Sequence, residues 1–237
     1  MNEGTLFIIG TPIGNLGDIT LRALETLKKV DVIACEDTRN TVRLLSHYGI
    51  SKRLIACHDH NEDGRSAEVI DMLKRGMNVG LVSDSGMPLV SDPGFRIVRT
   101  VKEAGLPLDV IPGPTALISG LVLSGMPVEK FIFLGFLPQK QSKRLRYIEE
   151  IREFTGTIVL YESPYKVIKT LEFLKANLEL AKVSVVKEIT KIHQKAITGT
   201  IDEVVERIKE IPFKGEYVIY FTKKNKDAKD FPENADI

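Results

Sequence analysis

The sequence predicts an α/β protein of two domains, the first built on a mostly parallel sheet. Three observations carry that reading. In the first half, short apolar runs alternate with segments of helical spacing, the rhythm of βαβ crossovers. Four apolar runs end in small-residue loops of Gly, Pro, Ser and Thr, after Ile9, Val82, Ile111 and the Tyr161-Glu162 strand end. After Gly125-Met126-Pro127 three later runs follow with few residues between them, a spacing that allows antiparallel pairing.

Residues 5–9 form the first strand, and Leu21–Lys29 a helix with Leu21, Leu24 and Leu27 on one face. Residues 32–34 are a short strand, 40–47 a short helix, 53–57 a strand and 66–75 a helix. The apolar Val79–Val82 strand leads through Ser83-Asp84-Ser85-Gly86-Met87-Pro88 and Ser91-Asp92-Pro93-Gly94 into a helix over Phe95–Glu103. Asp92 is expected to cap that helix, with Pro93 at its first position. Leu108–Ile111 is a strand, and the next helix opens at Pro114. The boundary falls in that helix and the turn after it, giving domains 1–115 and 116–223. The second domain reads as strand Phe131–Phe136, basic helix 142–153, strand 157–161 and helix 167–174, with Ser163 as expected cap. Strands 183–186 and 195–198, helix 201–211 and strand 217–221 complete it, and 224–237 is a charged tail expected to be disordered.

With 237 residues each domain can have its own core, and 43% hydrophobic against 27% charged residues is a globular composition. No apolar run reaches the roughly 18 residues of a membrane helix, and no export signal is apparent at the start. Cys35 and Cys57 fit no metal spacing and are expected to be reduced thiols in a cytoplasmic protein. A net charge of +1 leaves nucleic-acid binding to a local patch.

In open α/β sheets, ligands sit at the carboxyl edge of the strands. One small-residue loop there is an ordinary turn, whereas four argue for a shared pocket rim. Gly10, Gly14 and Gly17 do not match the dinucleotide fingerprint, and no P-loop spacing occurs. Two polar blocks also follow strands: Glu36-Asp37-Thr38-Arg39 and His58-Asp59-His60-Asn61-Glu62. Each can be an acceptor site; the first can equally be a capped helix start and the second a hydrogen-bonded loop. Two histidines at i and i+2 without a clear third ligand make a weak metal site. Lys140, Lys143, Arg144 and Arg146 crowd a helix start, where the dipole favours anions, so a phosphate backbone would relieve the conflict. Arg39, Arg43, Lys52, Arg53 and Arg65 would extend that patch.

Six blocks recur in one order: Gly10-Thr11-Pro12-Ile13-Gly14-Asn15-Leu16, the two polar blocks, the residues from Ser83 to Gly94, Ile111-Pro112-Gly113-Pro114, and Gly135-Phe136-Leu137-Pro138. Together they resemble the ribosomal RNA small-subunit methyltransferase I family of the tetrapyrrole (corrin/porphyrin) methylase superfamily, class III S-adenosylmethionine (SAM) enzymes. The resemblance implies two α/β domains with SAM in the cleft between them, a homodimer, and 2′-O-methylation of a cytidine in small-subunit ribosomal RNA, in the assembled subunit. It places cofactor contacts on Ile13, Gly86, Met87, Val90, Thr115, Ala116 and the Tyr161 strand end, with Ser85 and Pro114 in the same loops. Catalytic candidates are then Glu36, Asp37, Arg39, His58, Asn61, Glu62 and Lys191; RNA contacts are Arg39, Lys140, Lys143, Arg144 and Arg146. No metal and no membrane are expected. The late family motif departs here, reading Lys187-Glu188-Ile189-Thr190-Lys191 with Gln194 in place of a Glu, which puts a base at that position in doubt. Rival readings are a corrin or porphyrin C-methyltransferase of the same superfamily and a non-catalytic RNA-binding module.

Overall fold

The strands of the first half are apolar at nearly every position because both faces of their sheet are covered. In β1 (Leu6–Ile9), β2 (Val32–Cys35) and β4 (Val79–Val82), alternate residues enter two separate cores. Leu6, Val32, Ala34 and Leu81 pack with Val69 and Leu73 of α3 (Glu62–Lys74) and with Ile97 and Val101 of α4 (Phe95–Glu103). Ile9, Ile33, Cys35 and Val82 pack on the other side with Ala23 and Leu27 of α1 (Leu21–Lys29) and Leu45 of α2 (Thr38–His47). With β3 (Arg53–Ala56) and β5 (Leu108–Ile111), the sheet has order β3-β2-β4-β1-β5, and every pair is parallel.

The computed structural model describes residues 2–58 and 62–224, so Asn61 and the tail past residue 224 lie outside the described residues. The chain divides into two compact units, one ending at Ala116 and the other starting at Leu117. α5 (Ala116–Ser124) leads into the second unit. Its sheet contains β6 (Phe131–Phe136), β7 (Thr157–Glu162), β8 (Leu180–Lys187), β9 (Lys195–Gly199) and β10 (Tyr217–Lys223), in order β6-β7-β10-β8-β9. Only β6 and β7 pair in parallel; the other three pairs are antiparallel. One face is covered by α6 (Gln141–Glu150), α7 (Val167–Asn177) and α8 (Ile201–Lys209). On the other, α5 approaches so closely that a Cβ on Gly120 would stand 2.2 Å from the Tyr220 hydroxyl.

Several helix starts and caps differ from the sequence reading. α4 spans Phe95–Glu103 as read, but Gly94, which supplies no side-chain cap, stands at its N-cap instead of Asp92. α5 begins at Ala116, two residues past Pro114. α7 has Lys166 as N-cap; Ser163 closes the preceding turn, its Oγ accepting from the Tyr165 N–H at 3.3 Å. α3 begins at Glu62 instead of Ser66, running through Gly64, where the Cβ space is open. β10 extends to Lys223, whose ammonium donates to the carbonyls of Ile151 and Arg152.

Candidate active site

Because the first sheet is wholly parallel, every loop following a strand leaves from one edge. β4, β1 and β5 are neighbours, and at a spacing of about 4.8 Å their loops emerge within about 10 Å of one another. Backbone joins them. Thr11 and Gly86 exchange N–H···O bonds of 2.9 and 3.2 Å, and the Gly10 N–H donates to Ile111 at 3.0 Å. A Cβ on Gly10 would lie 2.7 Å from the backbone N and Cα of Gly113, so a side chain there would force these two loops apart. Gly86 has φ of 83°, and its Cβ would meet Ile13 at 3.2 Å and the Pro114 carbonyl at 3.4 Å. The room at Gly86 is therefore needed by its own neighbours, besides any ligand.

Around this junction lie the expected cofactor residues of the first unit. Ile13 and Gly86 are buried, while Ser85, Met87, Val90, Pro114, Thr115 and Ala116 are half-buried. They offer small and apolar surface beside backbone polar groups, which fits an adenosine and a short aliphatic chain. Tyr161 belongs to the second unit, where its hydroxyl accepts the Leu117 N–H at 3.1 Å in the first turn of α5. Its ring meets Phe133 and Phe136 edge-on, at 4.8 and 5.7 Å.

The loop from Ser83 to Gly94 holds two non-glycine residues in the left-handed region, Leu89 at φ 73° and Ser91 at 67°. Such conformations cost about 1–3 kcal/mol each and persist where surrounding contacts over-determine them. Its first acidic residue, Asp84, had no assigned role in the sequence reading. Its carboxylate accepts from the Asp37 N–H at 3.1 Å and from the Asn40 amide at 2.7 Å, tying the β4 loop to α2. The signal was positional: an acid at a strand end, beside a neighbouring strand's polar block.

Asp37 caps α2 through the Arg39 N–H at 2.8 Å and pairs with the Arg39 guanidinium at 2.6 Å. These bonds from Arg39 side chain and backbone pull the carboxyl down to about 2, so Asp37 stays ionised. Arg39 is exposed, Glu36 half-buried and His58 exposed at the same edge. Glu62 departs from its expected acceptor role. It is 6% exposed, and its Oε1 accepts from the backbone N–H groups of Gly94 at 3.0 Å and Arg96 at 2.7 Å. Glu62 thus caps α4 from another element, in place of Asp92.

In the second sheet β6, β7 and β8 run in one direction, so their carboxyl ends share an edge with the start of β10. There Glu188 and Thr190 are again left-handed, at φ 52° and 64°. Glu188 accepts from Lys191 and from the Glu216 N–H, both at 3.0 Å, and Lys191 also reaches Glu216 at 3.0 Å. Burial alone would lower the Lys191 ammonium, but the two carboxylates outweigh it and hold it above its ordinary value. Lys191 is accordingly a fixed cation, unsuited to taking a proton. Gln194 Oε1 accepts the Thr190 N–H at 2.6 Å, a task that needs no charge. Lys187 is buried, donating to the Pro212 carbonyl at 2.7 Å, and desolvation pushes its ammonium down.

Of the expected RNA contacts on α6, Lys140, Lys143 and Arg146 are exposed. Arg144 is a correction. Its guanidinium lies over the Phe173 ring at 4.2 Å and donates to Thr170 Oγ1 at 3.0 Å. Thr170 in turn donates to the buried Glu162 at 2.6 Å, so Arg144 is committed to α7. Arg53 and Arg65, proposed to extend the patch, both face Glu68. Among the described residues no group of His, Cys, Asp and Glu is placed to hold a metal ion, and no helix is long and apolar enough to cross a membrane.

Residues 5–205 match the family model of tetrapyrrole (corrin/porphyrin) methylases. The chain is 45% identical to the ribosomal RNA small subunit methyltransferase I of Haemophilus influenzae over 94% of its length and 80% of the relative's. It is 40% identical to that of Thermotoga maritima, covering 93% of this chain and 99% of that one. Among solved structures it is similar to diphthine synthase, with TM-score 0.74 at 17% identity over 93% and 90% of the two chains. Cobalt precorrin-4 methyltransferase gives 0.67 at 17% over 92% and 94%. At such identity these two speak for the fold alone.

Proposed function

The chain belongs to the tetrapyrrole (corrin/porphyrin) methylases and, within them, to the ribosomal RNA small subunit methyltransferase I group; from that premise we propose that it transfers a methyl group from SAM to a cytidine 2′-oxygen of small-subunit ribosomal RNA. The observation that carries this reading is the backbone junction of the β1, β4 and β5 loops, in which Gly10, Gly86 and Gly113 bring three strand ends together. Bound there, SAM supplies a methyl already activated on a sulfonium. The protein's share is to hold donor and acceptor in line, which can contribute about 7–11 kcal/mol.

Ser85, Met87 and Val90 on one loop, and Pro114, Thr115 and Ala116 on another, line the donor side around Ile13. Tyr161 takes part by holding Leu117, the residue after Ala116. Asp37, ionised and paired with Arg39, orients the α2 start. Lys191 remains an ammonium and offers positive charge to an RNA phosphate. Lys140, Lys143 and Arg146 bind the RNA backbone. The work belongs in the cytoplasm, on the small subunit. A homodimer is supported by the exposed Leu108 and Val110 on edge strand β5 and, separately, by exposed Ile118, Val122 and Leu123 on α5.

SAM should raise the melting temperature of the purified protein, since a ligand of the native state alone must do so. Incubation with small subunits lacking the modification should then place one methyl on a cytidine ribose, read by mass mapping. SAM binding with methylation of a tetrapyrrole instead of RNA would favour the C-methyltransferase reading; no SAM binding at all would favour the RNA-binding module.

A further inference from the structure

We propose that Glu62 is a positioning residue for the methyl donor: from the first turn of α3 its buried carboxylate fixes the downstream end of the loop between β4 and α4. The inference rests on the reading that this loop holds SAM. Both ends of the loop are tied to other parts of the first unit. Upstream, Gly86 is bonded to Thr11 in both directions. Downstream, Glu62 Oε1 receives the N–H groups of Gly94 and Arg96, at 3.0 and 2.7 Å, and Asp63 pairs with the Arg96 guanidinium. Between these ties lie Met87 and Val90, two of the proposed donor contacts, and the left-handed Leu89 and Ser91.

A loop in that conformation relaxes unless something outside it holds it. The anion also sits where the α4 dipole favours negative charge. Glu62 itself is held by its turn, since Ser66 Oγ donates to the Glu62 carbonyl at 2.7 Å. With 6% exposure and Oε1 engaged twice, this carboxylate is a poor acid–base group for a macromolecular substrate. It acts through the loop.

Two roles for Glu62 make opposite predictions in the full-length protein. Glu62→Gln keeps a carbonyl oxygen for both N–H groups, so SAM affinity and kcat should stay within about threefold of wild type. Glu62→Ala removes it; if the loop is then in place about a tenth of the time, the SAM Kd rises about tenfold. The KM for RNA should hold, and hydrogen exchange should speed up at residues 87–96. Glu62→Asp, one methylene shorter, should fall between and serves if the alanine variant does not fold. Loss of kcat in Glu62→Gln with unchanged SAM affinity would overturn the proposal in favour of proton transfer. Unchanged exchange at residues 87–96 in Glu62→Ala or Glu62→Asp would overturn it as well. Should wild type bind no SAM, the functional reading fails by itself, and the exchange comparison still decides whether Glu62 clamps the loop.

Discussion

Two loops of this chain enter the same uncommon backbone region and are held there by different means. Between β4 and α4, Leu89 and Ser91 are left-handed in a loop tied at one end by backbone, a two-way bond between Thr11 and Gly86 beside the close Gly10–Gly113 approach, and at the other by two N–H groups on the Glu62 carboxylate. After β8, Glu188 and Thr190 are left-handed in a loop fixed by side chains, through Lys191, Gln194 and the N–H of Glu216. The first arrangement leaves small and apolar groups half-buried around a rigid junction, as a shaped ligand needs. The second leaves an ammonium held between two carboxylates at a sheet edge. Backbone fixation tolerates no added atom; side-chain fixation tolerates changes that preserve the bond.

That difference is open to test, beginning with the largest effect. Gly10→Ala puts a methyl 2.7 Å from Gly113 backbone, and about 3 kcal/mol of lost stability is expected in denaturant unfolding, with SAM binding lost alongside. A loss below about 1 kcal/mol would mean that the junction yields. Gly86→Val is less informative, because φ of 83° strains any side chain there whether or not a ligand binds.

Glu188→Ala should cost about 2 kcal/mol, as one carboxylate oxygen serves both Lys191 and the Glu216 N–H. The pH dependence has a definite sign. Burial would raise the Glu188 carboxyl, but the Lys191 and Glu216 bonds bring it below its ordinary value. Its contribution is therefore complete above the unfolded carboxylate pKa and is lost as pH falls through the lower folded one. Stability curves of variant and wild type should converge in acid; parallel curves down to pH ~2 would deny Glu188 this role.

The cations of α6 divide in the same way. Arg144→Ala should cost about 1 kcal/mol, through the Phe173 face and the Thr170 bond, and leave the salt dependence of RNA binding unchanged. Lys143→Ala and Arg146→Ala should leave stability alone, each lowering the slope of log affinity against log salt by about 0.7. Equal slopes for all three would erase the distinction. The smallest effect is expected of Gln194→Glu, which keeps the acceptor for Thr190 and should change stability by within about 0.5 kcal/mol.

Much of this site was legible beforehand because it depends on strand ends. Ser85, Gly86, Met87 and Pro114 could be placed on loops at one sheet edge once the β1, β4 and β5 runs were recognised as parallel strands. Glu62 and Arg144 were misjudged for one reason. Each carries a charge at a position that local spacing exposes, and each is engaged by an element more than twenty residues away. The caps of α4 and α7 and the start of α5 at Ala116 were missed in a related way: Ser, Asp and Pro near a boundary mark a preference, and the chain used a distant cap or a turn instead.

By itself the sequence determined the order and kind of most elements and the parallel character of the first sheet, and it allowed antiparallel pairing in the second. Those follow from apolar periodicity and turn residues, which act over a few neighbours. Only the tertiary structure decided which polar groups remain available for chemistry. It assigned Glu62 to the α4 start, Lys191 to two carboxylates, Arg144 to Phe173 and Asp84 to the α2 start. A charged side chain's role depends on the partner it finds across the fold, and no local pattern specifies that partner.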